Sequence, residues 1–479
     1  MLPQLTAHAA QHSITKISGV IAMPTTATIP RVPSYVPYLG HGLAFGRDAD
    51  QLMRDCQKKY GDVFELKLAD KRCTFFLNPR DYPAFIRQSK HLRSEDISLD
   101  IAAPVFGFDK QHLQDTVDVE HVTHMNQRFM MGDELVPLTE RMQDKLEEIL
   151  LDQRHRDGIS GNLFDYALEL ILMAGTDALF GEGVASPQLL EDFKIVDKYF
   201  PLLVGGIPKW LLPGVNKALA GLAKPLGAPR EGQCRLMDER FRYFAGIDYR
   251  AAEELPKTDS SLLWAAQANT AVVAFFTLFF ILRDPAVKKL IEEEVRSALA
   301  TSDKQSPRGT PYLTADVLNR MEKLDSCISE TLLLISAPLP MRQVMQDLDI
   351  EMVSGHTAKL KQGQFAAIYP RYTHMHPDIY ANPEQFQWDR YLGKQKPNSF
   401  SFEGDPLKYA LIPFGVGLSM CPGRHFARNE FKVITALLLN WCDIHVQETR
   451  VPELDKSRIG LGSFTPKSAI PFRLQRTAA

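Results

Sequence analysis

Ten residues near the C-terminal end, Phe414-Gly415-Val416-Gly417-Leu418-Ser419-Met420-Cys421-Pro422-Gly423, constrain this chain more than any other stretch, and they run straight into a helical pattern from Arg424 to Trp441. Glycines let a loop bring its backbone close to a flat cofactor. Loop amides and the N-terminus of the following helix stabilise negative charge on a thiolate. Cys421 in that setting is suited to give iron an anionic axial ligand. A lone Cys-Pro-Gly would read better as a turn with a buried cysteine; the full pattern reverses that preference.

The other cysteines, Cys56, Cys73, Cys234, Cys327 and Cys442, form no C-x-x-C pair and no regular spacing. A disulfide framework or a zinc site is not expected from them. In a reducing compartment such residues act as small buried hydrophobes, and Cys421 alone has a special context. The chain is 45% hydrophobic and 24% charged, an ordinary globular balance. Its 55 Lys and Arg are offset by 58 Asp and Glu with no long basic run, so nucleic acid is not an expected partner.

A chain of 479 residues allows about three domains or one large fold. Residues 1–30 read as an N-terminal extension. Its apolar stretch, Ile17 to Met23, is too short to span a bilayer and lacks a cleavage site, so neither a cleaved signal nor an anchor is expected. Residues 31–479 show no repeat and no linker, and one mixed domain is the simplest account. Residues 26–48, rich in Pro, Gly and Ala, read as an extended entry segment. A helix over 49–60 follows, then an alternating strand from Val63 to Leu68 and an apolar run from Cys73 to Leu77. Helical patterns dominate next: Leu138 to Leu151, Leu163 to Leu179, and a long stretch from Ser260 to Ala300. Within it, Leu262 to Leu282 is apolar but interrupted by Gln267, Asn269, Thr270 and Thr277, which favours a buried central helix over a membrane span. Alternation returns after residue 342, and an irregular region from Met375 to Lys408 precedes the cysteine loop.

The loop resembles that of the cytochrome P450 family, Phe-Gly-x-Gly followed by three variable residues and Cys-x-Gly. The resemblance extends over most of the chain, from Tyr38-Leu39-Gly40-His41-Gly42 and Lys59-Tyr60-Gly61-Asp62-Val63-Phe64 to the helix after Cys421. It implies a mainly α fold with a smaller β region, holding haem b (iron protoporphyrin IX, heme b) between two helices. Cys421 would be the iron ligand, with Phe414, Gly415, Gly417 and Gly423 shaping the loop against the haem. The family often places an arginine two residues before the cysteine to pair with a haem propionate, and here Ser419 stands there. By family position Arg342 and the segment His124-x-x-x-Arg128 are the propionate candidates, with a surface cation as the alternative, above all for Arg128. The segments Trp264-Ala265-Ala266-Gln267-Ala268-Asn269-Thr270 and Phe193-Lys194-Ile195-Val196-Asp197-Lys198-Tyr199-Phe200-Pro201 look like the branch containing bile-acid-forming sterol hydroxylases and prostacyclin synthase.

Two departures bear on mechanism. Over the haem the family usually carries Ala-Gly-x-acid-Thr, whereas this chain has Gln267 for the glycine and Asn269 for the acid. Asparagine cannot titrate, but the hydroxyl of Thr270 can donate and order water, so Thr270 and Asn269 are the catalytic candidates. A threonine satisfied by its own helix is the bland alternative. In Ser329-Glu330-Thr331-Leu332-Leu333 the family's Glu-x-x-Arg has lost its arginine to Leu333. Arg390, in Phe386-Gln387-Trp388-Asp389-Arg390, matches the family's other arginine, and Glu330 with Arg390 leaves a neutral pair.

The resemblance implies a monooxygenase that hydroxylates or epoxidises a lipophilic substrate such as a steroid or terpenoid. Its other partners are dioxygen and an electron donor, an NADPH-dependent reductase or a ferredoxin. The alternatives are a haem-thiolate isomerase or dehydratase of an oxygenated lipid, and a non-catalytic haem sensor. Apolar stretches from Ile101 to Phe108 and Tyr199 to Val215 either line an access route or pack in the core. The second, through Trp210-Leu211-Leu212 with Lys198 and Lys209, is also a candidate for peripheral membrane contact. The expected location is cytoplasm-facing, soluble or membrane-peripheral, at the endoplasmic reticulum if the source is eukaryotic.

Overall fold

Thirty-four residues, Tyr249–Leu282, form one helix through the middle of the protein. Asp248 caps it, its carboxylate accepting from the Ala251 amide at 2.6 Å. From Leu262 onward the helix is apolar on nearly every side, so that part cannot lie on a surface and the other helices wrap it. Phe275, Phe276 and Phe279 are fully buried. Phe275 meets Phe164 edge-on at 5.5 Å, and Phe280 stacks on Phe386 at 4.5 Å. By length and composition the helix would cross a membrane, but 83% of its apolar window is buried in the fold, as expected of a core helix. The computed structural model describes residues 29–34, 36–393 and 399–477. The apolar stretch Ile17 to Met23 lies outside the described residues.

The helical mass is as anticipated: helices Leu163–Phe180 and Arg424–Trp441 pack on the central one, and Leu135–Leu151 packs on both of them. Two boundaries differ. The stretch from Ser260 to Ala300 is two helices, because Asp284 takes an extended conformation before Pro285 and then caps a new helix, Pro285–Leu299. Proline disfavours a helical residue before it and suits the first position of the next helix. The entry segment turns helical earlier than expected, over Gly42–Tyr60, with a kink at Asp48. Asp48 accepts from the Gln51 amide at 3.1 Å, which is a cap in mid-element and explains why the pattern reads from residue 49.

The main sheet has five strands in the order Val63–Leu68, Lys71–Phe76, Phe365–Ile368, Met341–Val344 and Leu92–Arg93. Lys71–Phe76 and Phe365–Ile368 are parallel, Cys73 opposite Phe365, and the helical body lies between them in sequence. Met341–Val344 runs antiparallel to Phe365–Ile368 with Arg342 opposite Ala366. A two-stranded ladder, Gly462–Ser463 with Ser336–Ala337, brings the C-terminal segment beside the central helix.

Glu330, on helix Glu322–Ile335, is wholly buried. It accepts from Arg390 Nε at 2.8 Å and from the Gln387 amide at 3.0 Å. The rest of the Arg390 guanidinium donates to the carbonyls of Ala381, Asn382 and Gln385 at 2.7, 3.3 and 3.3 Å. Leu333 sits in a separate apolar cluster with Tyr380, Tyr391 and Phe402, where a guanidinium would have to be desolvated. Burial raises the Glu330 carboxyl's pKa against the pull of Arg390. Removing one member of such a pair leaves a buried charge, so Arg390→Met should cost about 3–5 kcal/mol in urea denaturation. An unchanged midpoint would show that the pair does not hold this region together.

Candidate active site

The cysteine loop is closed by its own backbone: the Cys421 amide donates to the Phe414 carbonyl at 2.8 Å. Gly415 and Gly417 hold φ of +73° and +64°, which side chains resist. A Cβ on Gly415 would press on the Ser419 carbonyl at 3.1 Å, and one on Gly417 would meet the Arg342 guanidinium at 3.0 Å. Arg342 is sealed in the interior, 1% exposed, and donates to the Val416 carbonyl at 3.3 Å and the Ile86 carbonyl at 3.5 Å. It is therefore no surface cation; the sheet delivers it to the back of the loop.

Above the loop lies a cavity of about 560 Å³, lined mainly by apolar groups and within the roughly 300–1,000 Å³ of ligand sites. Cys421, Phe414, Gly415 and Gly423 border it, as do Asn269 and Thr270 of the central helix. Four of the other cysteines are buried and Cys234 is half-buried, whereas the Cys421 side chain is open to the cavity. Burial pushes the Cys421 thiol up, opposed by the amides of Gly423 and Arg424 and the charge of Arg424. An open thiol with backbone amides beside it, at the edge of an apolar cavity, fits a metal-bound thiolate, since metal binding takes the proton. A Cβ on Gly423 would lie 4.0 Å from Cys421 Sγ, so that glycine is not forced by local crowding.

Thr270 is nine-tenths or more buried, and its hydroxyl donates to the Ala266 carbonyl at 2.6 Å. This is the self-satisfied geometry, and the oxygen keeps only its acceptor capacity toward the cavity. The Asn269 amide packs against Gly462, where a Cβ would fall 2.5 Å from Oδ1. The two segments that resemble the sterol-hydroxylase branch touch each other. Trp264 stacks on Phe200 at 3.5 Å and donates from Nε1 to Asp197 at 3.1 Å. Asp197 in turn pairs with Arg458 at 2.8 Å.

His124 and Arg128, on helix Val119–Arg128, are both exposed and do not border the cavity. Arg128 lies over the Phe129 ring at 5.3 Å. The cavity takes Met130 from this region instead. Of the apolar stretches, Ile101 and Val204 line the cavity while Phe106, Phe108 and Phe200 pack in the core.

Glu430 also borders the cavity, and the sequence reading did not single it out. It is 3% exposed, and its Oε1 has no hydrogen-bond partner. With burial as the cause, its carboxyl is pushed up to about 8. Gln267, fully buried with both amide atoms unpartnered, faces the same point. The available signal was periodicity: Glu430 falls one turn after Phe426, on the face that the Arg424–Trp441 helix buries.

A family model described as cytochrome P450 matches residues 250–471. Cytochrome P450 7A1 of Oryctolagus cuniculus is 32% identical, with 93% of this chain and 92% of that protein covered. Cytochrome P450 7B1 of Mus musculus is 30% identical, covering 93% and 90%. A 5-beta-cholestane-3-alpha,7-alpha-diol 12-alpha-hydroxylase of Sus scrofa is 28% identical, covering 95% of each. Among solved structures, a retinoic acid-bound cyanobacterial CYP120A1 superposes with a TM-score of 0.73 at 20% identity, covering 94% of this chain and 99% of that one. The chain belongs to the cytochrome P450 family, and it is a haem b monooxygenase that uses dioxygen and external electrons to oxidise a lipophilic substrate.

Proposed function

We propose that this enzyme hydroxylates a sterol or a steroid of similar shape, at the cavity above Cys421. What carries the proposal is the likeness, over nearly the whole chain, to proteins named as cholesterol 7-alpha-monooxygenase and as a 12-alpha-hydroxylase of a cholestane diol. The cavity agrees: its walls are largely apolar, with Val273, Leu332 and Leu461 among them, and Asn269 offers one neutral amide. A rigid apolar ligand gains from burying its surface there, and one hydroxyl on it would find the amide as partner. Adding cholesterol, 25-hydroxycholesterol and a non-sterol lipid of matched size to the purified holoenzyme tests this. Sterols should shift the haem spectrum and be hydroxylated with a surrogate reductase. A shift and turnover with the non-sterol alone would overturn the proposal.

Cys421 holds the iron in this reading. A haem held there by the Cys421 thiolate would supply the dioxygen activation that the reaction needs. The protein's own groups orient and seal: Gly415 and Gly417 let the loop lie flat, Arg342 fixes its back, and the Thr270 oxygen, its proton given to the Ala266 carbonyl, can only accept from a group in the cavity. Cys421→Ala should abolish the thiolate-type spectrum of the reduced carbon monoxide complex, and a variant that kept it would remove Cys421 from this role.

The electron donor is a reductase or ferredoxin docking on the surface, and membrane contact is peripheral. Trp210 is 77% exposed and Leu211 52%, with Leu202 and Ile207 exposed nearby, whereas Leu203 and Leu212 are buried. Lys198 is exposed, but Lys209 is half-buried and its ammonium is disfavoured by burial and by Lys257. Exposed aromatic and aliphatic groups enter a lipid interface without spanning it. Trp210→Ala with Leu211→Ser should lower flotation with liposomes by several-fold while haem content stays constant. An unchanged bound fraction would reject this surface.

A further inference from the structure

Helix Pro187–Val204, the central helix and the short turn Lys456–Arg458 are far apart in sequence, and one carboxylate joins them. Asp197 accepts from Trp264 Nε1 at 3.1 Å and from the two terminal nitrogens of Arg458 at 2.8 and 3.2 Å. Its main-chain carbonyl takes a further hydrogen bond from Arg458 at 3.2 Å. Arg458 is 4% exposed, and among the described residues its guanidinium has no partner except Asp197. An apolar contact backs the polar ones. Trp264 lies flat on Phe200, with centroids 3.5 Å apart and planes 9° apart, and Phe200 meets Phe106 of helix Glu95–Phe106 at 6.2 Å.

Each of these contacts sits next to a wall of the cavity above Cys421. Trp264 immediately precedes Ala265 and Ala266, which border it, and Arg458 immediately precedes the bordering run from Ile459 to Ser463. Val204 adds a wall from the helix that carries Asp197. The run after Arg458 is fixed at its far end, where the Gly460 amide donates to the Ala337 carbonyl at 2.8 Å and Ser463 pairs with Ser336. Gly462, between these ties, lies against the Asn269 amide. A movement at Arg458 therefore reaches the walls within a few residues. A buried ion pair adds little net stability over a well-packed apolar pair, and what its directed hydrogen bonds add is a fixed geometry.

We propose that Asp197 is a positioning residue that sets substrate specificity: it holds three walls of the cavity in one geometry, so that a rigid ring system is preferred to a flexible chain of equal size. This rests on the cavity above Cys421 being the substrate site. A rigid ligand presents one shape and is matched only by walls that stay in place, whereas a flexible chain adapts to walls that move. Misplacing a reacting atom by about 1 Å costs about a hundredfold in rate, so slack walls lower the preference and let neighbouring carbons compete. Asp197 acts through Trp264 and Arg458 and does not itself border the cavity.

The test uses the holoenzyme with a surrogate reductase, cholesterol, and an unbranched lipid alcohol of similar carbon count. Asp197→Leu with Arg458→Met removes the clasp without leaving a buried charge. This variant should keep the thiolate-type carbon monoxide spectrum, while KM for cholesterol rises by a larger factor than kcat falls. The preference for cholesterol, as a ratio of kcat/KM values, should drop at least about tenfold, and one hydroxylated sterol should give way to several. Asp197→Asn with Arg458→Gln, a neutral pair that still forms hydrogen bonds, should recover part of the preference. Trp264→Phe, which keeps the stack and loses the donor, should show a smaller loss in the same direction. A lowered melting temperature with unchanged preference and an unchanged single product overturns the proposal. Should the apolar double variant fail to load haem, unchanged preference and products in Trp264→Phe overturn it as well. A wild-type enzyme that oxidises the lipid alcohol and no sterol would sink the sterol reading and this proposal with it, whereas a wild type that prefers cholesterol beside unchanged variants sinks this proposal alone.

Discussion

A loop that carries a thiol at the edge of an apolar cavity must answer its own backbone polar groups without water, and most of the loop's architecture follows from that. The cysteine loop answers its own backbone, Cys421 amide to Phe414 carbonyl, and lends the Val416 carbonyl to Arg342. Arg342 comes from a strand whose register is set by its neighbour Phe365–Ile368. The loop is thus braced by a sheet on one side and faces a cavity on the other. Helix Arg424–Trp441, which follows the cysteine, packs on the central helix and so sets the distance between the loop and Thr270.

The same logic explains how the fold does without an arginine at position 333. A buried carboxylate with two guanidiniums carries net charge into low dielectric, whereas one pair is neutral and needs less compensation. Glu330 and Arg390 make that pair, and backbone carbonyls take the donors Arg390 has left. Leu333 then joins the tyrosines beneath it, exchanging an electrostatic contact for an apolar one.

Much of this was legible in the residues. The loop around Cys421 has a spacing that few other chemistries require, and the helices Leu163–Phe180 and Arg424–Trp441 follow their apolar periodicity closely. The boundary at Asp284 was written in a capping residue followed by proline, and a long apolar run hid it. His124 and Arg128 were named by family position, but an amphipathic helix leaves orientation to tertiary packing, and here both are exposed. Glu430 escaped notice because the periodicity that puts it on the buried face of its helix does not say which helices meet it there. Gly462 was missed for the same reason: its closeness to Asn269 depends on a ladder formed across distant segments.

The parallel pairing of Lys71–Phe76 with Phe365–Ile368 ties the order of assembly to the order of synthesis. One edge of Lys71–Phe76 has no partner until almost the whole helical body has been made. Such long-range pairing raises contact order and slows closure of the sheet. During that wait Phe75 and Phe76, fully buried in the finished protein, are exposed on a hairpin with an open edge, the kind of surface that draws chaperones or aggregates. Arg342 reaches its place only when the sheet closes, so the back of the cysteine loop is among the last parts of the molecule to become rigid.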